Sequence, residues 1–165
     1  MIPRRIKFSC MEQVQTTIEL TSNGEGFINI TPKINEFLND NNLSTGILII
    51  NSMHTSCSLI VNENADPNVL YDFKKYLKSI VPENSYRSLA INNKEVSYRH
   101  SQEGADDMPA HIKTALTNTS LSFSFTNKKL VLGTWQSIYL CEHRLERKKR
   151  SIHIHAIGEK QRNYL

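Results

Sequence analysis

Asp66-Pro67-Asn68-Val69-Leu70-Tyr71-Asp72-Phe73-Lys74-Lys75-Tyr76-Leu77-Lys78-Ser79-Ile80-Val81-Pro82 is the stretch on which the reading of the fold turns. Its apolar positions, Val69, Leu70, Phe73, Tyr76, Leu77 and Ile80, follow the helical period. Asp66 is placed to cap the helix, and Pro82 stops it. On both sides the pattern changes. Upstream, the β-branched run Thr45 to Asn51 and the segment Ser58 to Asn62 suit buried strands. Further upstream, Val14 to Leu20 alternates as a strand, and Asn23-Gly24-Glu25-Gly26 signals a turn. Thr31-Pro32 reads as a cap plus first-turn proline of another helix, with Ile34, Phe37 and Leu38 on one face.

Downstream, residues 83 to 107 are polar and without clear period, a loop long enough to suggest function. A short helix is expected from Pro109 through Leu116. The rest reads as β: Leu121 to Phe125, an Asn127-Lys128 turn, then Leu130 to Leu132, Ser137 to Cys141 and Ser151 to Ile157. Strict alternation in the last puts His153 and His155 opposite Ile152 and Ile154. Strands and helices follow no βαβ rhythm, so the expected class is α+β in a single domain. Residues 1-13 are read as an N-terminal extension and 14-165 as the domain.

The chain has 165 residues, 39% hydrophobic and 22% charged, which fits a globular domain and argues against wholesale disorder. Its longest apolar run, Ile47 to Ile50, is far short of the about 20 residues of a membrane span. Basic residues near the N-terminus are not followed by a signal-like apolar region. Cys10, Cys57 and Cys141 are odd in number and widely spaced, so neither a disulfide framework nor a zinc ribbon is supported, and a cytoplasmic location is expected. A net charge of +4 hints at an anionic partner. Much of the excess lies in Arg144 to Arg150, read first as a solvated turn. No nucleic-acid motif accompanies it, so neither nucleic acid nor membrane is an expected partner, and a small phosphorylated molecule is.

Three polar stretches could carry chemistry. His54-Thr55-Ser56-Cys57-Ser58 follows a buried strand and offers several donors to a phosphate, although a hydroxyl-rich turn is an equal reading. Cys57 is read as a small buried hydrophobe before a nucleophile. In Asn62-Glu63-Asn64-Ala65-Asp66-Pro67, Glu63 and Asp66 could hold a divalent cation, or Asp66 could simply cap the helix. Between His100 and His111 lie Glu103, Asp106 and Asp107. A neutral His111 in the first helical turn suits a general base or a metal ligand, with His100 as a second ligand. Finally, Trp135 could stack on a heteroaromatic ring or pack in the core, and Glu142 with Arg144 on one strand face suits an orienting base beside a phosphate clamp or a plain ion pair.

Together, His54 to Leu59, Asn62 to Pro67, Glu103-Gly104 leading to Asp107 to Lys113, and Leu132-Gly133-Thr134-Trp135-Gln136 closely resemble the YjbQ family, in order, over about Val14 to Glu159. The resemblance implies a mixed sheet curled into a half-barrel with helices packed outside, and a homotrimer. It implies a secondary thiamine-phosphate synthase, which joins hydroxymethylpyrimidine diphosphate to thiazole phosphate with release of diphosphate. The family pattern has histidine at His54, His100 and His111, and acids at Glu63, Asp66 and Glu142. Ser137 departs from it where glycine is usual, and Ala105 where proline or asparagine is common. On this reading His111, His54 and Glu142 are catalytic. Thr55, Ser56, Asn64, Asp66, Trp135, Gln136 and Arg144 bind substrate or phosphate, and His100 with His111 are metal ligands. Mg²⁺ would serve the synthase reaction, with Zn²⁺ or another divalent metal as the alternative. A metal-assisted hydrolase and a non-enzymatic ligand-binding trimer remain open beside it.

Overall fold

The computed structural model describes residues 11–160. Chain order begins with strands β1 (Met11–Thr21) and β2 (Gly26–Asn29), helix α1 (Thr31–Asp40), then β3 (Leu43–Ser52) and β4 (Cys57–Glu63). Helix α2 (Pro67–Ile80) and the short strands β5 (Ser85–Ser88) and β6 (Lys94–Ser97) follow. Helix α3 (Asp107–Leu116) leads into β7 (Ser120–Thr126), β8 (Lys129–Leu130), β9 (Gln136–Glu142) and β10 (Lys149–Lys160). Residues 1–10 of the expected N-terminal extension lie outside the described residues, and residues 11–13 are the first three of β1.

The architecture is an α+β single domain with a curled half-barrel sheet and three helices. A five-stranded sheet runs in the order β1-β10-β3-β7-β8, a three-stranded one in the order β2-β9-β4, and β5 with β6 form a separate hairpin. Every pairing among these strands is antiparallel. The two larger sheets share one core. Leu48 and Ile50 of β3, Ile152 and Ile154 of β10, Leu59 of β4, and Ile138 and Leu140 of β9 meet Ile34, Phe37 and Leu38 of α1 there. The other face of β9 presents Tyr139 and Cys141 to Phe27, Leu70 and Phe73, which is how α2 attaches. β9 is therefore covered on both faces, and its end at Glu142 becomes the rigid point from which the site is built. Among the described residues no helix is long and apolar enough to cross a membrane.

Several boundaries differ from the sequence reading for local reasons. Thr31 is the first residue of α1 rather than its cap, because its hydroxyl instead accepts from the Ile138 amide. Asp66 caps α2 as expected, accepting from the Asn68 amide. Helix α3 begins at Asp107, two residues before Pro109, and proline is tolerated there because first-turn amides have no intrahelical partner. Residues 83 to 107 are not structureless. They contain the β5–β6 hairpin, whose turn uses Asn92 and Asn93 in the left-handed region, with φ of 49° and 60°. Leu132 lies beyond the end of the two-residue β8.

Gly46 of β3 and Gly158 of β10 face each other across the ladder, and the Phe125 ring lies over both. A methyl group at Gly46 would run into the Ile157 carbonyl and come within 2.7 Å of that ring. Gly46→Ala is expected to lower the unfolding free energy by at least about 2 kcal/mol in urea titration. Gly26→Ala, where nothing lies within 4 Å, should change it by less than about 0.5 kcal/mol.

Candidate functional site

β4 and β9 run antiparallel, pairing Cys57 with Glu142 at one end and Glu63 with Gln136 at the other. Those ends are about 20 Å apart at the rise of an extended strand. This separation divides the residues that the sequence reading grouped together. His54, Thr55, Ser56, Glu142 and Arg144 lie at the first end, where α3 brings His111 and the chain brings His100. Asn64, Asp66, Trp135 and Gln136 lie at the second.

At the first end, Asp107 is the focus. Its side chain is 3% exposed. Arg144 Nη1 donates to Asp107 Oδ1, Arg144 Nε to Asp106 Oδ2 at 2.9 Å, and Arg144 Nη2 to the Glu103 carbonyl at 2.6 Å. Arg144 is thus consumed by the protein's own acceptors and is not a free phosphate clamp. β9 ends at Glu142, so Arg144 does not continue that strand's face but turns toward α3. On the other side of Asp107, Oδ2 has His100 Nε2 at 2.7 Å and His111 Nε2 at 3.7 Å. The two imidazole rings are tilted by 57° with centroids 5.4 Å apart. His111 lies in the second turn of α3, not the first, because the helix begins at Asp107. Its Nδ1 donates to the Thr55 carbonyl at 2.9 Å.

His54 is held differently. The Ser151 amide donates to its Nε2 at 2.7 Å, so that nitrogen carries no proton. Burial lowers the His54 pKa, with Arg150 adding to the effect, and the ring is a neutral Nδ1–H donor. His54, Thr55, His111, Thr114, Ala115, Thr117 and Thr119 line an open cleft of about 370 Å³. The Thr114 hydroxyl is buried there without a hydrogen-bond partner. A second cleft of about 360 Å³, lined by Ile80, Val81, Tyr86, Tyr98, Met108 and Ile112, follows the adjacent face of α3. Tyr86 and Tyr98 stack in it with centroids 5.4 Å apart.

Glu142 is not an available base. It is 1% exposed and accepts from Arg150 Nε at 2.7 Å, Arg150 Nη2 at 2.6 Å, Ser22 at 2.7 Å and the Arg144 amide at 3.0 Å. Burial alone would raise its pKa, but these donors outweigh burial and hold the carboxyl below the usual carboxylate range. The basic run is correspondingly split: Arg147 and Lys149 are exposed, whereas Arg144 and Arg150 are buried ion-pair partners. Ser56 contributes its carbonyl to Arg150, at 3.4 Å. Cys57 is fully buried, and burial raises its thiol pKa, so it is a packing residue.

At the second end, Asp66 Oδ1 is taken by the Asn68 amide and side chain. Asn64 donates to Ser137 at 2.9 Å, and Gln136 accepts from the Gly133 amide at 2.8 Å. Trp135 is 63% exposed and does not pack in the core. Among the described residues, the only cluster of three or more His, Cys or acidic side chains with converging ligand atoms is His100, Asp107 and His111. Asp107 was not singled out as a ligand from sequence. Its signal was the four-residue spacing to His111, which puts both on one helical face.

A sequence model described as UPF0047 protein YjbQ-like matches residues 16–159. The chain belongs to the YjbQ/UPF0047 family. A UPF0047 protein of Synechocystis is 40% identical over 147 residues, covering 89% of this chain and 93% of the relative. YjbQ of Escherichia coli O157:H7 is 37% identical over 139 residues, covering 84% and 93%. A YjbQ/UPF0047 structure from Clostridium acetobutylicum superposes with a TM-score of 0.68 at 29% identity, covering 86% and 97%. A YbjQ-like protein of unknown function from Sulfolobus solfataricus shares the fold with a TM-score of 0.75 at 22% identity, covering 91% and 100%.

Next to this end of β9, His143 is buried and bonded to Ser58 at 2.8 Å. Burial, reinforced by Lys113, depresses its pKa from 6.5 to about 4. Below 6.5 the unfolded chain takes up the proton before the folded one does, so this stabilisation is complete above 6.5 and is lost down to about 4. Between pH 7 and 5 the expected loss is about 2 kcal/mol of unfolding free energy. Urea titrations at both pH values should show it in the wild type and a much shallower dependence in His143→Gln. Equal dependence in the two proteins would remove His143 as the cause.

Proposed function

We propose that the chain is an enzyme acting on a small phosphorylated substrate, and that its reaction is thiamine-phosphate synthesis from hydroxymethylpyrimidine diphosphate and thiazole phosphate. The observation that carries the reading is the donor set of the 370 Å³ cleft. It offers the His54 Nδ1–H and the hydroxyl groups of Thr55 and Thr119, and no carboxylate lines it. Such a surface receives phosphate oxygens and does not repel them.

In the proposed reaction the carbon–oxygen bond to diphosphate breaks as a carbon–nitrogen bond to the thiazole nitrogen forms. The main requirement is stabilisation of the departing diphosphate, which the neutral donors supply. Mg²⁺ is read as entering with the diphosphate, because Glu63 and Asp66, the carboxylates offered for a divalent cation, lie at the far end of β4 from the cleft, and Glu142 is occupied by Arg150. The pyrimidine ring is read against Tyr98, Met108 and Ile112 and not on Trp135, which lies at the far end of β9. A homotrimer fits the outer face of the large sheet, where Ile47, Ile49 and Ile157 are exposed.

Hydrolysis of a phosphoester is the second reading, favoured by the His100–Asp107–His111 cluster. One assay separates the two. Purified protein with both substrates and Mg²⁺ should make thiamine phosphate, and His54→Ala should lower the rate by at least about 100-fold with unchanged folding. Tyr98→Leu should raise KM for the pyrimidine more than it lowers kcat. Phosphate release from either substrate alone, without thiamine phosphate, would establish the hydrolase. Saturable binding without turnover would establish a ligand-binding protein and sink both enzymatic readings.

A further inference from the structure

Asp107 presents a contradiction that its protein partners do not resolve. One carboxylate oxygen is satisfied by Arg144, while Oδ2 is buried and makes no hydrogen bond. Such an atom costs about 1–3 kcal/mol if it stays unpaired. His100 Nε2 is only 2.7 Å away, yet the contact lacks hydrogen-bond alignment. His111 has its Nδ1 proton pointed at the Thr55 carbonyl, which leaves the Nε2 lone pair facing the same oxygen from 3.7 Å. One ligand atom from each of the three side chains lies within 4.8 Å of the others. Three ligand atoms that converge in this way offer a cation a ready-made set of electron pairs.

We propose that His100, Asp107 and His111 form a binding site for one divalent transition metal of the zinc class. Two imidazole nitrogens and one carboxylate oxygen suit zinc, cobalt or iron, whereas magnesium and calcium prefer all-oxygen surroundings. The supports are those of a metal site. The Thr55 carbonyl fixes the tautomer and direction of His111, and Arg144 fixes Asp107. Arg144 is itself neutralised by Asp106 at 2.9 Å, so its charge does not cancel the attraction of Asp107 for a cation. His100 is half-exposed, which leaves the site open to solvent and to a substrate oxygen beside the 370 Å³ cleft. The site bears on the proposed reaction, but its existence does not depend on which substrate is turned over.

The test is metal binding by the full chain, independent of activity. Protein stripped with chelator is titrated with Zn²⁺ by calorimetry and with Co²⁺ by visible absorption, with Mg²⁺ as the control ion. One equivalent of Zn²⁺ per chain and an intense Co²⁺ spectrum of low coordination number are expected. His100→Ala and His111→Ala should each weaken Zn²⁺ by at least the about 100-fold that loss of an outer-shell partner reaches. His100 lies on the surface, so its variant should keep the wild-type melting temperature. His153→Ala, on the outer sheet face, should bind as wild type. Substoichiometric Zn²⁺, binding unchanged in both site variants, or equal competition by Mg²⁺ would overturn the proposal. Stoichiometric metal in a protein without synthase activity would leave the site standing and the synthase reading fallen.

Discussion

The guanidinium of Arg144 is the contact on which the site depends. It holds Asp106, Asp107 and the Glu103 carbonyl together at the start of α3, and its own amide is tied to Glu142. Two adjacent carboxylates at one helix start repel each other unless a cation lies between them. A buried lysine would supply charge at a single point, but only a planar fork engages three acceptors in fixed directions. The arrangement also leaves Asp107 Oδ2 pointing away from Arg144. The same residue that stabilises the carboxylate therefore decides which of its oxygens is left to face His100 and His111.

Glu142 extends this connection into the sheet. It receives Arg150, Ser22 and the Arg144 amide in a place from which water is excluded. Such a pair contributes little net stability over an apolar replacement, but removal of one partner strands the other at a cost of about 3–5 kcal/mol. α3 is pinned on its other side by Lys113, buried against Glu25, which also receives Lys78 at 3.1 Å. Apolar contacts alone would let a ten-residue helix slide by fractions of a turn. Charged pairs with defined directions do not, and so Asp107 and His111 keep their register against Thr55.

Much of this was legible in the residues. The α2 period, the β-branched runs and the alternation of β10 locate most elements, because burial on one face imposes a period on the chain. The β5–β6 hairpin was not legible: its strands are four residues long and largely exposed, so no face selects an apolar pattern. Its Asn92-Asn93 pair was the available signal. At the site, histidine positions were readable but roles were not. Glu142 and Arg144 look like catalytic groups in one dimension, since sequence does not reveal that each already has a buried partner. Trp135 and His54 look like neighbours in a motif list, but the length of β4 and β9 keeps them apart.

The sharpest example is the pair of histidines flanking the cleft. In sequence His54 and His111 are equivalent imidazoles. In the fold, a backbone amide faces Nε2 of the first, and a backbone carbonyl faces Nδ1 of the second. The amide can only donate and the carbonyl can only accept, so both rings carry their proton on Nδ1, but a different nitrogen of each is left unengaged. His54 is left with a proton to offer, and His111 with a lone pair. One side of the cleft thus favours an anionic oxygen and the other a cation, a polarity that arises from two main-chain groups, of Ser151 and Thr55, whose side chains play no part in it. On the proposed metal, a phosphate would meet the His54 proton directly and the His111 lone pair only through the cation, so the two sides would act together only when the metal is bound.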